Sequence, residues 1–254
     1  MRRLKPIAHE DEVSLVDHLS ELRERIVVSL AAFGVAFALC FWQSDRLLEL
    51  ASGPLPGGHE RLITFGVTEP FTTTLTVSAY GALILALPVV LYQAYAFLLP
   101  AFSKQNQRAI VPLLLLIPVL FGAGVAFGYF VVLPAATSFL LNFNDTQFNI
   151  QVRASEYYGF FGTTLLACGA VFQVPVGILA VTRLGIVSVD QLKCNRRYAY
   201  LACSVAAAAL PGVDPVSMII ETVPLILLYE LSIVLARIFA PIYTPPLGEA
   251  AGGA

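Results

Sequence analysis

The sequence predicts an all-α polytopic membrane protein: six spans, several kinked by proline, both termini cytoplasmic, and a concave body with a short fifth span. Three observations predict it. Of 254 residues, 57% are hydrophobic and 13% charged, with mean hydropathy +0.78, whereas soluble domains average about a quarter charged residues. The apolar residues gather in runs of about 20, the length that crosses about 30 Å of hydrocarbon. Arginine and lysine concentrate in alternate loops, the asymmetry that orients membrane proteins.

About 25 largely polar residues come first, including Glu10, Asp11 and Glu12. A signal peptide places its apolar region close behind its basic residues, so no cleaved signal is expected, and Arg2 and Arg3 read as topology charges. Ser14-x-x-Asp17 reads as a capping box that starts a helix. Leu15, Leu19, Leu22 and Ile26 share one face of it. Residues 1–25 therefore read as a cytoplasmic amphipathic segment at the membrane interface. Glu21 and Arg25 are spaced to pair across one helical turn.

The first span is expected over 26–42, before a polar segment with Pro54, Pro56, Gly57 and Gly58. The second, 71–99, precedes S-K-Q-N-Q-R (103–108), and the third, 109–133, precedes N-F-N-D-T-Q-F-N (142–149). The fourth covers 157–182, followed by S-V-D-Q-L-K-C-N-R-R (188–197). The fifth, 198–210, joins the sixth, 216–238, through P-G-V-D-P (211–215). Residues 239–254 are expected to be a disordered cytoplasmic tail, so the chain forms one six-span membrane domain over 1–254.

Twelve basic residues fall on one side of this layout: Arg2, Arg3, Lys5, Arg23, Arg25, Lys104, Arg108, Arg183, Lys193, Arg196, Arg197 and Arg237. Only Arg46, Arg61 and Arg153 fall on the other, which puts both termini in the cytoplasm. The fifth span offers only about 20 Å of helix, so the bilayer thins there or partners cover it. Pro88, Pro112, Pro118, Pro175 and Pro224 lie within spans, where each removes a backbone donor and bends its helix. Cys40, Cys168, Cys194 and Cys203 show no C-x-x-C spacing and read as small buried hydrophobes where they lie in spans.

The chemistry missing from the spans excludes several classes. The three histidines, His9, His18 and His59, all lie outside them, and the aspartates sit in loops or at edges. There is no G-x-S-x-G, no metal-binding cluster and no nucleotide loop, so no intramembrane hydrolase, ATPase, metal or cofactor is expected. Nucleic acid is not an expected partner. Glu221 and Glu230 in the last span and the neutral Gln173 are the groups an ion path could use. A proton- or ion-coupled small-solute transporter thus remains the alternative, without a convincing inverted repeat.

Ordered motifs point elsewhere. H-L-S-E-L-R-E-R (18–25), T-E-P-F (68–71), L-P-V-V-L-Y-Q-A-Y-A-F-L-L-P-A (87–101), F-G-Y-F-V-V-L-P (127–134), F-Q-V-P-V (172–176), and D-P followed by V-P-L-I-L-L-Y-E (223–230) occur in one order along the chain. Together the set resembles the TatC family, the receptor subunit of the twin-arginine protein translocase. The resemblance runs from about Ser14 to Arg237.

It implies a non-enzymatic receptor in the cytoplasmic membrane. Such a receptor binds the signal peptides of folded precursors, works with single-span TatA/TatB-type subunits, self-associates, and is driven by the proton-motive force. It also implies a cytoplasmic carboxylate at Glu21 that receives a signal-peptide arginine, since a guanidinium presents a fork of donors that a carboxylate accepts. The family's second carboxylate position is Asn106 here, so Glu24 is the candidate that assists Glu21. Phe97 matches an aromatic beside the site. Gln173 stands where the family usually has glutamate, either as an interhelical hydrogen bond or as a polar spot in a concave face where partner helices or signal peptides dock. Met218 stands where the family often has glutamine, and Glu221, one turn on, is expected to supply the contact with a partner helix that Met218 cannot. Glu230 is expected near the cytoplasmic interface, where Arg237 or nearby water satisfies it. Pro54, Glu69, Pro70, Phe71 and Asp214 are assigned to a periplasmic cap, with Glu69 as a helix-start charge.

Overall fold

The computed structural model describes residues 10–57, 62–98, 111–148, 150–183, 186–211 and 214–239. These are almost entirely helical: α1 (Glu10–Trp42), α2 (Ser44–Ser52), α3 (Glu69–Leu98), α4 (Val111–Phe127), a π turn (Gly128–Val132), α5 (Leu133–Asn142), α6 (Ala154–Val171), α7 (Val174–Arg183), α8 (Val189–Cys194), α9 (Arg196–Ala209) and α10 (Pro215–Phe239). Five stretches are long and apolar enough to cross a membrane: Leu19–Trp42, Glu69–Phe97, Leu116–Asn142, Ala154–Arg183 and Pro215–Ile238. α9, at 14 residues, is about 21 Å long and short of that mark, as the sequence predicted for the fifth span.

Several boundaries differ from the sequence reading. α1 is already helical at Glu10, so Ser14 does not start a helix. Residues 10–25 continue into the first span instead of forming a separate interfacial helix. At 33 residues this helix is about 50 Å long, so its first turns project beyond about 30 Å of hydrocarbon.

The third span continues past residue 133 to Asn142. Pro134 cannot donate to the carbonyl four residues back. The chain passes this point through the π turn, in which the Leu133 N–H bonds the Gly128 carbonyl, a one-residue widening.

The fourth span breaks between Val171 and Val174. Pro175, at the second position of α7, leaves the Val171 carbonyl without its usual donor. Pro175 thus occupies a first turn that tolerates proline, and Pro112 lies in the helical stretch that begins the described residues of α4. Pro88, Pro118 and Pro224 are the ones inside helices. Amphipathic α2, in the first loop, was not anticipated.

Small residues bring the helices together. α1 meets α3 through Ala36, Cys40, Ala82 and Ala86, a close approach typical of membrane helices. A Cβ at Gly162 of α6 would stand 2.2 Å from the Tyr80 ring of α3, so the α3–α6 crossing requires glycine there. At the α4–α6 crossing, a Cβ at Gly124 would meet the Cys168 carbonyl oxygen at 2.6 Å. Cys40, Cys168 and Cys203 are buried as expected, and Cys194 is exposed.

The short α9 has a consequence for the whole body. The Thr164 hydroxyl donates to the Pro211 carbonyl at 3.4 Å. Thr164 lies ten residues into α6, or about 15 Å below its start, so the α9–α10 turn is sunk into the molecule.

Candidate functional site

Polar side chains collect at the two ends of the helical body. At the end where α1 begins, Arg25 donates from Nε to Glu21 Oε1 at 3.0 Å, and its Nη2 also bonds this oxygen. Arg25 Nη1 donates to Gln93 Oε1 of α3 at 3.0 Å. The predicted Glu21–Arg25 pair therefore forms, and the bond to Gln93 fixes it across two helices. Both partners are partly exposed, Glu21 at 34% and Arg25 at 23%.

Beside this cluster, α1 and α3 enclose an apolar groove of about 730 Å³. Leu22, Ile26, Phe33, Leu87, Val90 and Phe97 contribute to its walls, and Arg25 and Gln93 to its polar end. The structure thus brings Glu21, Arg25, Gln93 and Phe97 together. Glu24 is solvent-exposed on the same helix, and Asn106 lies outside the described residues. Gln93 was missed because no local spacing ties it to Arg25, 68 residues away.

α8, α9 and α10 meet at this same end. Ser188 and Gln191 form a capping box that starts α8. Lys193 donates to Asp190 at 2.8 Å and holds that carboxyl below its usual range. Glu230 accepts from Arg196 Nη2 at 2.8 Å and from the Tyr200 hydroxyl at 2.6 Å. In place of the Arg237 or water expected to satisfy Glu230, α9 supplies both donors.

At the opposite end, Glu69 begins α3 and gathers four donors. Oε1 accepts from Arg153 Nε at 2.8 Å and the Ser155 hydroxyl at 2.7 Å. Oε2 accepts from the backbone N–H groups of Phe65 at 2.8 Å and Gly66 at 3.3 Å. The carboxylate in turn raises the pKa of the Arg153 guanidinium. Glu69 is thus the helix-start charge that was expected and also a clamp between α3 and α6.

Ile63 bridges Arg153 in parallel register, with Ile63 N–H to the Val152 carbonyl and Ala154 N–H to the Ile63 carbonyl. Tyr129 and Tyr157 donate to the Leu50 and Ala51 carbonyls at 2.9 and 2.7 Å, satisfying the end of α2. Pro54 is buried, and its carbonyl accepts from Thr137 at 3.0 Å. Pro70 and Phe71 are exposed, Phe71 at 63%. Asp214 caps α10 by accepting from Ser217 N–H at 2.7 Å.

In the middle, Gln173 sits in the α6–α7 break and donates from Nε2 to the Ile117 carbonyl of α4 at 3.3 Å, the interhelical bond that was one of its two readings. Met218 is 38% exposed, while Glu221 is 3% exposed, so these neighbours do not share one environment. Glu221 turns into the body, against Cys168, Phe172 and Leu225.

These features define a multi-pass helical membrane protein with organised polar clusters at both ends and a sunken turn in one of them. Residues 17–224 match the family described as Sec-independent protein translocase protein (TatC). The Sec-independent protein translocase protein TatC of Desulforapulum autotrophicum is 37% identical over 233 residues, covering 91% of this chain and 86% of that one. The chloroplastic TATC of Arabidopsis thaliana is 36% identical over 228 residues, covering 89% and 67%. A crystal structure of the twin-arginine translocase receptor TatC superposes with TM-score 0.72 at 32% identity, covering 87% of this chain and 98% of that one. The chain belongs to the TatC family. Members are protein-translocase components that work with other Tat subunits, not enzymes.

Proposed function

We propose that this chain is the twin-arginine signal-peptide receptor and core subunit of a translocase that exports folded proteins across the cytoplasmic membrane, driven by the proton-motive force. One observation carries the reading: the Glu21–Arg25–Gln93 cluster stands at the mouth of the apolar groove between α1 and α3. A twin-arginine signal peptide has the matching order of parts, a guanidinium pair followed by an apolar stretch. Glu21 accepts one arginine, Glu24 assists from the exposed face, and Phe97 packs beside the entering chain. Each hydrogen bond to a charged group contributes about 1.5–3 kcal/mol.

In this reading the chain crosses the membrane six times with α9 as the short fifth span, and both termini are cytoplasmic. TatA/TatB-type single-span subunits and further copies of the chain cover the thin region beside α9. Family membership leaves the small-solute transporter alternative without an observation in its favour.

Photocrosslinking tests the receptor reading. Probes at positions 21, 24, 97 and 106 should label a twin-arginine precursor more strongly than its Lys-Lys form. Equal labelling of the two forms would remove these positions from the site.

A further inference from the structure

The first two turns of α10 leave buried oxygens without partners. Among the described residues, Asp214 Oδ2, Ser217 Oγ and both carboxylate oxygens of Glu221 find no hydrogen-bond partner. Their spacing is i, i+3 and i+7, so they lie along one helical face. That face turns inward, with 3% exposure at Asp214, 0% at Ser217 and 3% at Glu221. Glu221 opens on a small cavity with Phe127, Cys168, Val171 and Phe172. The short α9 accounts for polar atoms at this depth, because it holds the α9–α10 turn against Thr164.

The two carboxylates have unlike surroundings. Asp214 holds the N-terminus of α10 with one oxygen, where a negative charge is favoured. Among the described residues, Glu221 has neither donor nor cation. A carboxylate buried without donors is disfavoured as an ion. The titratable groups that face Glu221 are Cys168 of α6 and Asp214. The π turn and α5, α7, α8 and α9, which also pack on α10, place no charged side chain on the cavity. The Arg196–Glu230 pair lies nine residues further along α10, about 13 Å away.

We propose that Asp214, Ser217 and Glu221 form a proton-binding site, with Glu221 carrying the proton and water at the sunken α9–α10 turn exchanging it past Ser217 and Asp214. On release the Glu221 O–H bond breaks, its electron pair stays on the carboxylate, and water takes the proton as hydronium. Uptake is the reverse. The titratable carboxylate of the membrane body is then supplied by α10, while the α6–α7 break carries the neutral Gln173. The site rests on hydrogen-bonding geometry and stands apart from the signal-peptide reading.

Infrared difference spectroscopy of the full chain in lipid nanodiscs tests it. Wild type should show, at neutral pH, the C=O stretch of a protonated carboxyl group that shifts in D₂O. Glu221→Gln should abolish this band. Because Asp214 caps α10, Ser217→Ala, which keeps the Asp214 acceptor and the backbone N–H, tests the route without disturbing the helix start. It should slow exchange of the band. A band unchanged by Glu221→Gln, or absent from wild type, would overturn the proposal. A band that Glu221→Gln removes but that never exchanges in D₂O would overturn the water route.

Discussion

In the proposed receptor, Glu21 would meet an incoming guanidinium with one of its own already in place. Arg25 lies one turn away on the same helix, and a partly exposed pair at that spacing is worth only about 0.3–0.5 kcal/mol. A new hydrogen bond between a peptide arginine and the carboxylate is worth about 1.5–3 kcal/mol, so the peptide displaces or shares with Arg25 at little cost. Arg25→Gln should therefore tighten signal-peptide binding by only about twofold, measured by anisotropy of a labelled peptide on the full chain in nanodiscs. A loss of binding would mean that Arg25, not Glu21, contacts the peptide. The pair itself was legible from its spacing, as was the charge of Glu69 at the start of α3. The side-chain donors of Glu69 and Glu230 were not, because Arg153 and Arg196 lie 84 and 34 residues away in sequence.

Among the elements, the long apolar runs announced themselves by length, and the short fifth span by its deficit. Two boundaries differ at proline. The third span is expected to end at residue 133, yet the π turn carries the helix past Pro134 to Asn142. Pro175 reads as a kink, yet it ends α6 and starts α7. α2 was overlooked because Asp45, Arg46 and Glu49 dilute it, although Leu47, Leu48 and Ala51 mark one face that packs inward. Helix crossings depend on absent side chains, which no hydropathy plot reveals. Gly162 is such a case: Gly162→Ala forces its methyl into the Tyr80 ring. Overpacking of this kind costs about 1–3 kcal/mol. Thermal unfolding in detergent should show a lowered Tm, and an unchanged Tm would mean that the α3–α6 crossing relaxes freely.

For the whole molecule, the twelve-to-three split of basic residues carries the proposed orientation. In that orientation the Glu21 groove and α8 face the cytoplasm, and the Glu69 clamp with α2 lies on the far side. The cysteines provide a direct check, since Cys194 in α8 is exposed while Cys40, Cys168 and Cys203 are buried. A membrane-impermeant maleimide should label Cys194 in inverted vesicles but not in intact cells. Labelling from outside would reverse the topology and remove Glu21 from the side where precursors arrive.

In the proposed receptor, a carboxylate on α1 distinguishes arginine from lysine in the signal peptide. Lysine lacks the planar fork that a carboxylate accepts in two places, and losing one charged hydrogen bond of about 1.5 kcal/mol lowers affinity about tenfold. The deciding measurement is the affinity ratio of Arg-Arg to Lys-Lys peptides for wild type and for Glu21→Gln, on the full chain in nanodiscs. The prediction is a ratio of about ten for wild type that falls towards one in the variant. A ratio that survives Glu21→Gln intact would contradict the claim and place arginine recognition elsewhere.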